Sequence, residues 1–291
     1  MMKFESFVNE VASRIEELTT GYKFSVQTCR KLNVETLGII ITKKGCNVSP
    51  ELYLDDSYKA YVAGDLDISN YVSDLIEQLP KILDESPVNE IYDNIHDNIF
   101  DYNWVKGHLY IALSSAKKNW RLLDETPHTI IEDLILTVHI FLSCGEGVAR
   151  TIMVKNEMLN YWRIDENTLF KDAMKSSPTI NPIKTFSLVG TSMPMTYVTC
   201  RLTCRDMLVG SAAGIFYPGV FEQIAEKMNG SYYILPSSVF EVLVIPDDGN
   251  FKPEALSTMV VEINASKVKD SEVLSDHAYY YDAIKHEFCS V

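Results

Sequence analysis

The chain has no apolar run near the roughly 18 residues that a membrane-crossing helix needs; its longest apolar segment, Leu134 to Leu142, is interrupted by Thr137 and His139. A membrane protein is therefore not expected. It also has no surplus of base. Lys and Arg number 26 against 40 Asp and Glu, a formal net charge of −14, which excludes direct nucleic-acid binding through a broad basic surface. The first twenty residues, MMKFESFVNEVASRIEELTT, mix charge with apolar residues and lack the apolar stretch of a signal peptide, which predicts a cytoplasmic location. Six cysteines (Cys29, Cys46, Cys144, Cys200, Cys204, Cys289) are scattered with no CxxC pair, so reduced and mostly buried thiols are expected. Neither HExxH nor GxSxG occurs, and the six histidines (His96, His108, His128, His139, His277, His286) are dispersed singles. No metal site and no cofactor is predicted. His139 shares its strand phase with Ile135, Thr137 and Phe141 and reads as a packed residue.

What is present is the composition of a folded protein: 46% apolar and 23% charged residues over 291 positions leave disorder and low-complexity classes out. Phe4, Phe7, Val8, Val11, Ile15 and Leu18 recur at helical spacing and predict a first helix ended by Gly21. The period then falls to two. Strands at 22–26, 36–42 and 48–54 form an expected three-stranded antiparallel meander with a turn at 43–47, followed by helices capped near Asp55 or Asp56 and near Asp67 or Ser69. One more helix is expected over 89–101.

The second part resumes with a strand at 109–113 and a hairpin from 134–142 through Cys144-Gly145-Glu146-Gly147 into 148–154. Helices at 156–161 and 165–175 follow, the second stopping before Pro178, and 176–192 reads as a long connection. Strands at 195–202 and 207–213, a helix at 218–228 closed by Asn229-Gly230, strands at 232–235 and 239–245, a helix from Pro253 to about Asn264 and a strand at 277–281 complete the pattern. Helices are inserted between hairpins and do not alternate with every strand. The expected class is α+β with mostly antiparallel sheets, divided as an acidic N-terminal region, 1–101, and a larger C-terminal region, 102–291, which can pack as one unit.

Charge is segregated. Between Gly45 and Asp101 stand 13 acids (among them Glu51, Asp55, Asp56, Asp65, Asp67, Asp74, Glu77, Asp84 and Glu85) and two bases, Lys59 and Lys81, so this stretch holds most of the net charge. The plain reading is the solvated face of surface helices. The sharper one is a docking face for a basic partner protein, acting chiefly through association rate and partner choice.

Other candidate chemistry is sparse. Gly145 and Gly147 lie between strands, and Gly210 to Gly214 matches no phosphate-binding fingerprint. Cys200 and Cys204 share strand parity without the closer spacing of a redox or metal pair. The most suggestive polar group comprises Ser237, Ser238, Glu241, Asp276 and His277, the inventory of nucleophilic catalysis, against the plainer reading of turn residues and a strand start.

Several stretches together resemble an uncharacterised domain family of gut anaerobic bacteria: Asp124 to His128, the hairpin running into Asn156-Glu157-Met158-Leu159, Leu235 to Val242, and Glu272 to Asp282. The likeness runs over nearly the whole chain. It implies an intracellular bacterial protein and supplies no activity and no catalytic residue. Three functions are thus carried forward. The first is a non-enzymatic interaction module with an acidic face. The second is a small-molecule hydrolase or transferase built on the Ser237, Ser238, Glu241, Asp276, His277 group. The third is an acidic decoy that occupies a basic nucleic-acid-binding protein.

Overall fold

The computed structural model describes residues 2–31, 33–43, 49–83, 98–145, 148–187, 196–201 and 210–291. The fold is α+β, with three antiparallel sheets, and the chain divides into two compact units, Met1–Ile99 and Phe100–Val291.

In the first unit, α1 (Phe4–Leu18) precedes the meander β1 (Tyr22–Lys31), β2 (Val34–Lys43) and β3 (Glu51–Tyr53), and then α2 (Asp55–Ala63) and α3 (Ile68–Leu83). The apolar stripe of α1 supplies Phe7, Val8, Val11 and Ile15 to a core completed by Ile39 and Ile41 of β2, Leu54, and Ile68, Val72, Leu75 and Leu79 of α3. Spacings of three and four place those α3 residues on one face. Helix boundaries follow local chemistry. Gly64 adopts φ 85° and closes α2 through its N–H to the Ala60 and Tyr61 carbonyls, and the Asp67 carboxylate accepts from Asn70 N at 3.0 Å to open α3. On β2, Gly38 lies against Cys29 of β1, where an added Cβ would stand 2.7 Å from Sγ.

The second unit contains α4 (Tyr102–Val105), β4 (Leu109–Ser115), β5 (His128–Ile131), β6 (Leu134–Gly145), β7 (Val148–Met153), α5 (Asn156–Trp162), α6 (Glu166–Ile180), β8 (Ile183–Ser187), β9 (Thr196–Arg201), β10 (Gly210–Ser211), α7 (Val220–Met228), β11 (Tyr232–Ser238), β12 (Glu241–Pro246), α8 (Pro253–Lys267), β13 (Tyr279–Asp282) and β14 (Glu287–Ser290). In its four-stranded sheet β6 is central: β4 takes one edge, and β5 and β7 share the other. Covered on both sides, β6 is buried continuously from Leu134 to Ile140. The seven-stranded sheet runs β10-β9-β12-β11-β13-β14, with β8 also paired to β9.

The structure departs from the sequence pattern at several elements. Helix α6 does not stop before Pro178 but runs on to Ile180. The Ser177 hydroxyl, buried one residue earlier, donates to the Ala173 carbonyl and accepts from Ile111 N of β4 at 3.0 Å, which holds the last turn to the sheet. The expected connection over 176–192 accordingly contains the end of α6 and the strand β8, which pairs antiparallel with β9. In the described part of 207–213 only Gly210–Ser211 is strand. There the Ser211 side chain accepts from Ala213 N and starts a 3-10 turn, Ala212–Phe216. Ser237 and Ser238 belong to β11 and not to the connection. The register shifts between Pro236 and Ser238, and the β13 ladder ends at Ile234, so Pro236 breaks no β11–β13 pairing. Neither β5 nor β14 was expected. The expected turn at 43–47, apart from Lys43 at the end of β2, and most of the expected helix at 89–101 lie outside the described residues.

Candidate functional site

The hairpin between β11 and β12 gathers three of the five C-terminal candidates. Ser238 pairs with Glu241 across the turn. The Ser237 hydroxyl donates to Glu241 Oε1 at 3.3 Å, and Ser238 Oγ accepts from Phe240 N at 3.2 Å, the local bond of a turn serine. All three are half-buried, and Asp276 is exposed. Among the described residues, neither serine hydrogen-bonds to His277.

His277 belongs to a different group. Strands β5 and β6 are joined by Glu132 and Asp133, with Glu132 at φ 55°, and this turn brings Asp133 to the segment ahead of β13. Asp133 Oδ2 accepts from Ser275 Oγ at 2.9 Å, and Oδ1 accepts from the Tyr279 hydroxyl and lies 3.4 Å from His277 Nε2. The other ring nitrogen, Nδ1, is 3.3 Å from Ser275 Oγ. Ser275 is buried, its carbonyl accepts from Asn264 of α8 at 2.8 Å, and the His277 and Tyr279 rings are 4.9 Å apart. Burial, and then the bond to Asp133, push the Tyr279 phenol far above its usual range. A serine, a histidine and a carboxylate thus meet, but the serine gives its proton to the carboxylate and not to a histidine base. The arrangement ties the β5–β6 turn to the C-terminal strands. Asp133, Ser275 and Tyr279 were not anticipated. Asp133 is 142 and 146 residues from Ser275 and Tyr279, beyond any spacing rule.

A second carboxylate, Glu222 of α7, is engaged by the C-terminal hairpin. Tyr281 donates to Glu222 Oε1 at 3.2 Å, and His286 Nδ1 lies 3.4 Å from the same oxygen. His139 is buried, with Nε2 at 3.1 Å from Thr137 Oγ1 and its ring beside Tyr110. Desolvation, and to a lesser degree Lys155, hold its pKa down to about 4. Among the described residues no cluster of His, Cys, Asp and Glu is suited to a metal ion. Cys29 is buried and Cys289 exposed, neither in a disulfide.

The acids of the first unit divide into two sets. Several have local partners: Glu51 accepts from Tyr53, Asp55 from Thr36 at 2.8 Å, Asp56 pairs with Lys59 at 2.8 Å, and Asp67 caps α3. Asp65, Asp74 and Glu77 are exposed, the last two on the face of α3 opposite its buried stripe. Asp84 and Glu85 lie outside the described residues. Among the described residues no helix is long and apolar enough to cross a membrane.

Compared with known proteins, residues 4–283 match the model of a family of unknown function, DUF5688. No curated protein and no solved structure matches the chain.

Proposed function

The chain belongs to this family of unknown function, and we propose that it is a non-enzymatic cytoplasmic interaction module that presents an acidic face to a basic partner protein. One observation carries the reading. Helix α3 buries Ile68, Val72, Leu75 and Leu79 and leaves Asp74 and Glu77 exposed, with Asp65 exposed just ahead of it. The stretch from Gly45 to Asp101 has two bases in sequence, and one of them, Lys59, is held by Asp56 at 2.8 Å. Exposed like charge of this kind contributes little to folding and acts on encounter, by steering an oppositely charged surface over about a Debye length, ~10 Å at 0.1 M salt.

The test is affinity capture by the full chain from lysate of its source organism at about 50 mM and about 300 mM salt, where screening differs strongly. Its control is the variant Asp65→Asn, Asp74→Asn, Glu77→Gln, which leaves the cap and the Asp56 pair in place. A basic protein retained at low salt, released at high salt and lost by the variant supports the reading. If that protein binds nucleic acid and is displaced by DNA, the face acts as a decoy. An identical set retained by both forms refutes the docking face.

A further inference from the structure

The hairpin β13–β14 is held to the rest of its sheet by a short ladder. Strand β13 pairs with β11 over three residues, Tyr279 to Tyr281, and β14 pairs with β13. Tyr281 also donates to Glu222 and Tyr280 to Asp247, and side chains of the β5–β6 turn add a further attachment: Glu132 accepts from Ser290 at 2.9 Å, and Asp133 accepts from Ser275 and Tyr279.

Counting protons in this junction leaves one contact unresolved. The Ser275 hydroxyl hydrogen goes to Asp133 Oδ2, the shortest of its contacts, at 2.9 Å, and Ser275 Oγ itself accepts from His277 N at 3.4 Å. Nδ1 of His277, 3.3 Å from Ser275 Oγ, must then be the donor in that pair. In a neutral imidazole this leaves Nε2 as a lone pair facing a carboxylate oxygen, Asp133 Oδ1, at 3.4 Å. Nε2 is buried and makes no hydrogen bond among the described residues. Two electron-rich atoms face each other, and a proton on Nε2 converts the contact into a charge-assisted hydrogen bond.

We propose that His277 and Asp133 form a proton-operated clasp that tightens the attachment of the β13–β14 hairpin when the protein is acidified. The groups that face the imidazole come from several elements. The β5–β6 turn supplies Asp133 and, beside it, Glu132; β13 supplies the Tyr279 phenol; the adjoining chain supplies Asp276; and α8 supplies the neutral Asn264 through Ser275. Lys118, the base that also reaches toward the segment after α8, is held by Asp270 at 2.7 Å. The device is independent of the acidic face of the first unit.

Hydrogen exchange of residues 278–290 in the full chain, expressed as protection factors so that intrinsic pH effects cancel, tests the clasp between about pH 8 and about pH 5.5, the range in which histidine changes charge. The expected result is a rise of roughly two- to fivefold in protection on acidification, the scale of a partly exposed ion pair, abolished by His277→Gln and by Asp133→Asn. Equal pH dependence in the parent chain and in His277→Gln overturns the proposal. Should either variant fold poorly, nitrogen chemical shifts of the His277 ring in the unmodified chain decide. Protonation of Nε2 over the interval in which protection rises supports the clasp, and protection that rises while Nε2 stays unprotonated refutes it.

Discussion

Acidification is expected to destabilise the second unit through His139, in the sense opposite to the local tightening at His277. His139 is buried in β6 between the Tyr110 ring, 5.4 Å away, and Thr137. Its imidazole is uncharged at neutral pH because desolvation lowers its pKa from 6.5 to about 4. Between these two values the unfolded chain takes up a proton that the folded chain refuses. The stabilisation is therefore complete above pH 6.5 and is lost as pH falls toward 4, at about 1.4 kcal/mol per pH unit. Across the window the loss approaches ~3 kcal/mol, an upper figure because local opening would admit water. The assay is urea unfolding at several pH values followed by tryptophan fluorescence, which reports on the second unit alone because Trp104, Trp120 and Trp162 all lie there. Carboxylates add their own acid sensitivity, so the quantity to compare is the stability difference between the parent chain and His139→Phe, a variant that keeps a packed ring and removes the titration. That difference should shift steadily in favour of the variant as pH drops below 6.5. Parallel pH profiles would show that His139 titrates normally in the fold and would refute the reasoning.

Three further outcomes follow from packing and hydrogen bonding. Gly38→Ala places a Cβ 2.7 Å from Cys29 Sγ and should destabilise the first unit by about 1–3 kcal/mol in denaturant unfolding followed by circular dichroism, with part of the loss restored by adding Cys29→Ala. Ser177→Ala strands the Ile111 N–H and removes the anchor of the last turn of α6; a loss of about 1–3 kcal/mol is expected by tryptophan fluorescence, and an unchanged midpoint would mean that the turn is held otherwise. Asn181 is buried with neither amide atom hydrogen-bonded among the described residues, so Asn181→Leu should raise stability by about 1 kcal/mol, whereas a loss would show that the amide serves a partner.

Short-range features were readable along the chain because their causes are short-range. The apolar period of α1, the alternation of β1 and β2, the Asp67 cap and the Asn229 turn at φ 58° each depend on residues within a few positions. The α+β class with antiparallel sheets follows from the same reading, since helices fall between hairpins. In the candidate site, likewise, Ser237 and Glu241 are four residues apart and meet at the hairpin they define.

Local rules failed where a distant partner decided the outcome. Pro178 is a stop signal in isolation, but Ser177 holds its turn against β4, 66 residues away in sequence. Asp133, in a two-residue turn, reads as an ordinary polar residue, and only the packing of the four-stranded sheet's turn against the C-terminal segment gives it Ser275, Tyr279 and His277 as partners. Periodicity, caps and charge segregation are properties of neighbouring residues, so the sequence by itself determined the elements that local pattern sets and the acidic stretch. Which carboxylate faces which histidine depends on where chain segments more than a hundred residues apart are brought together, and tertiary structure alone decided that.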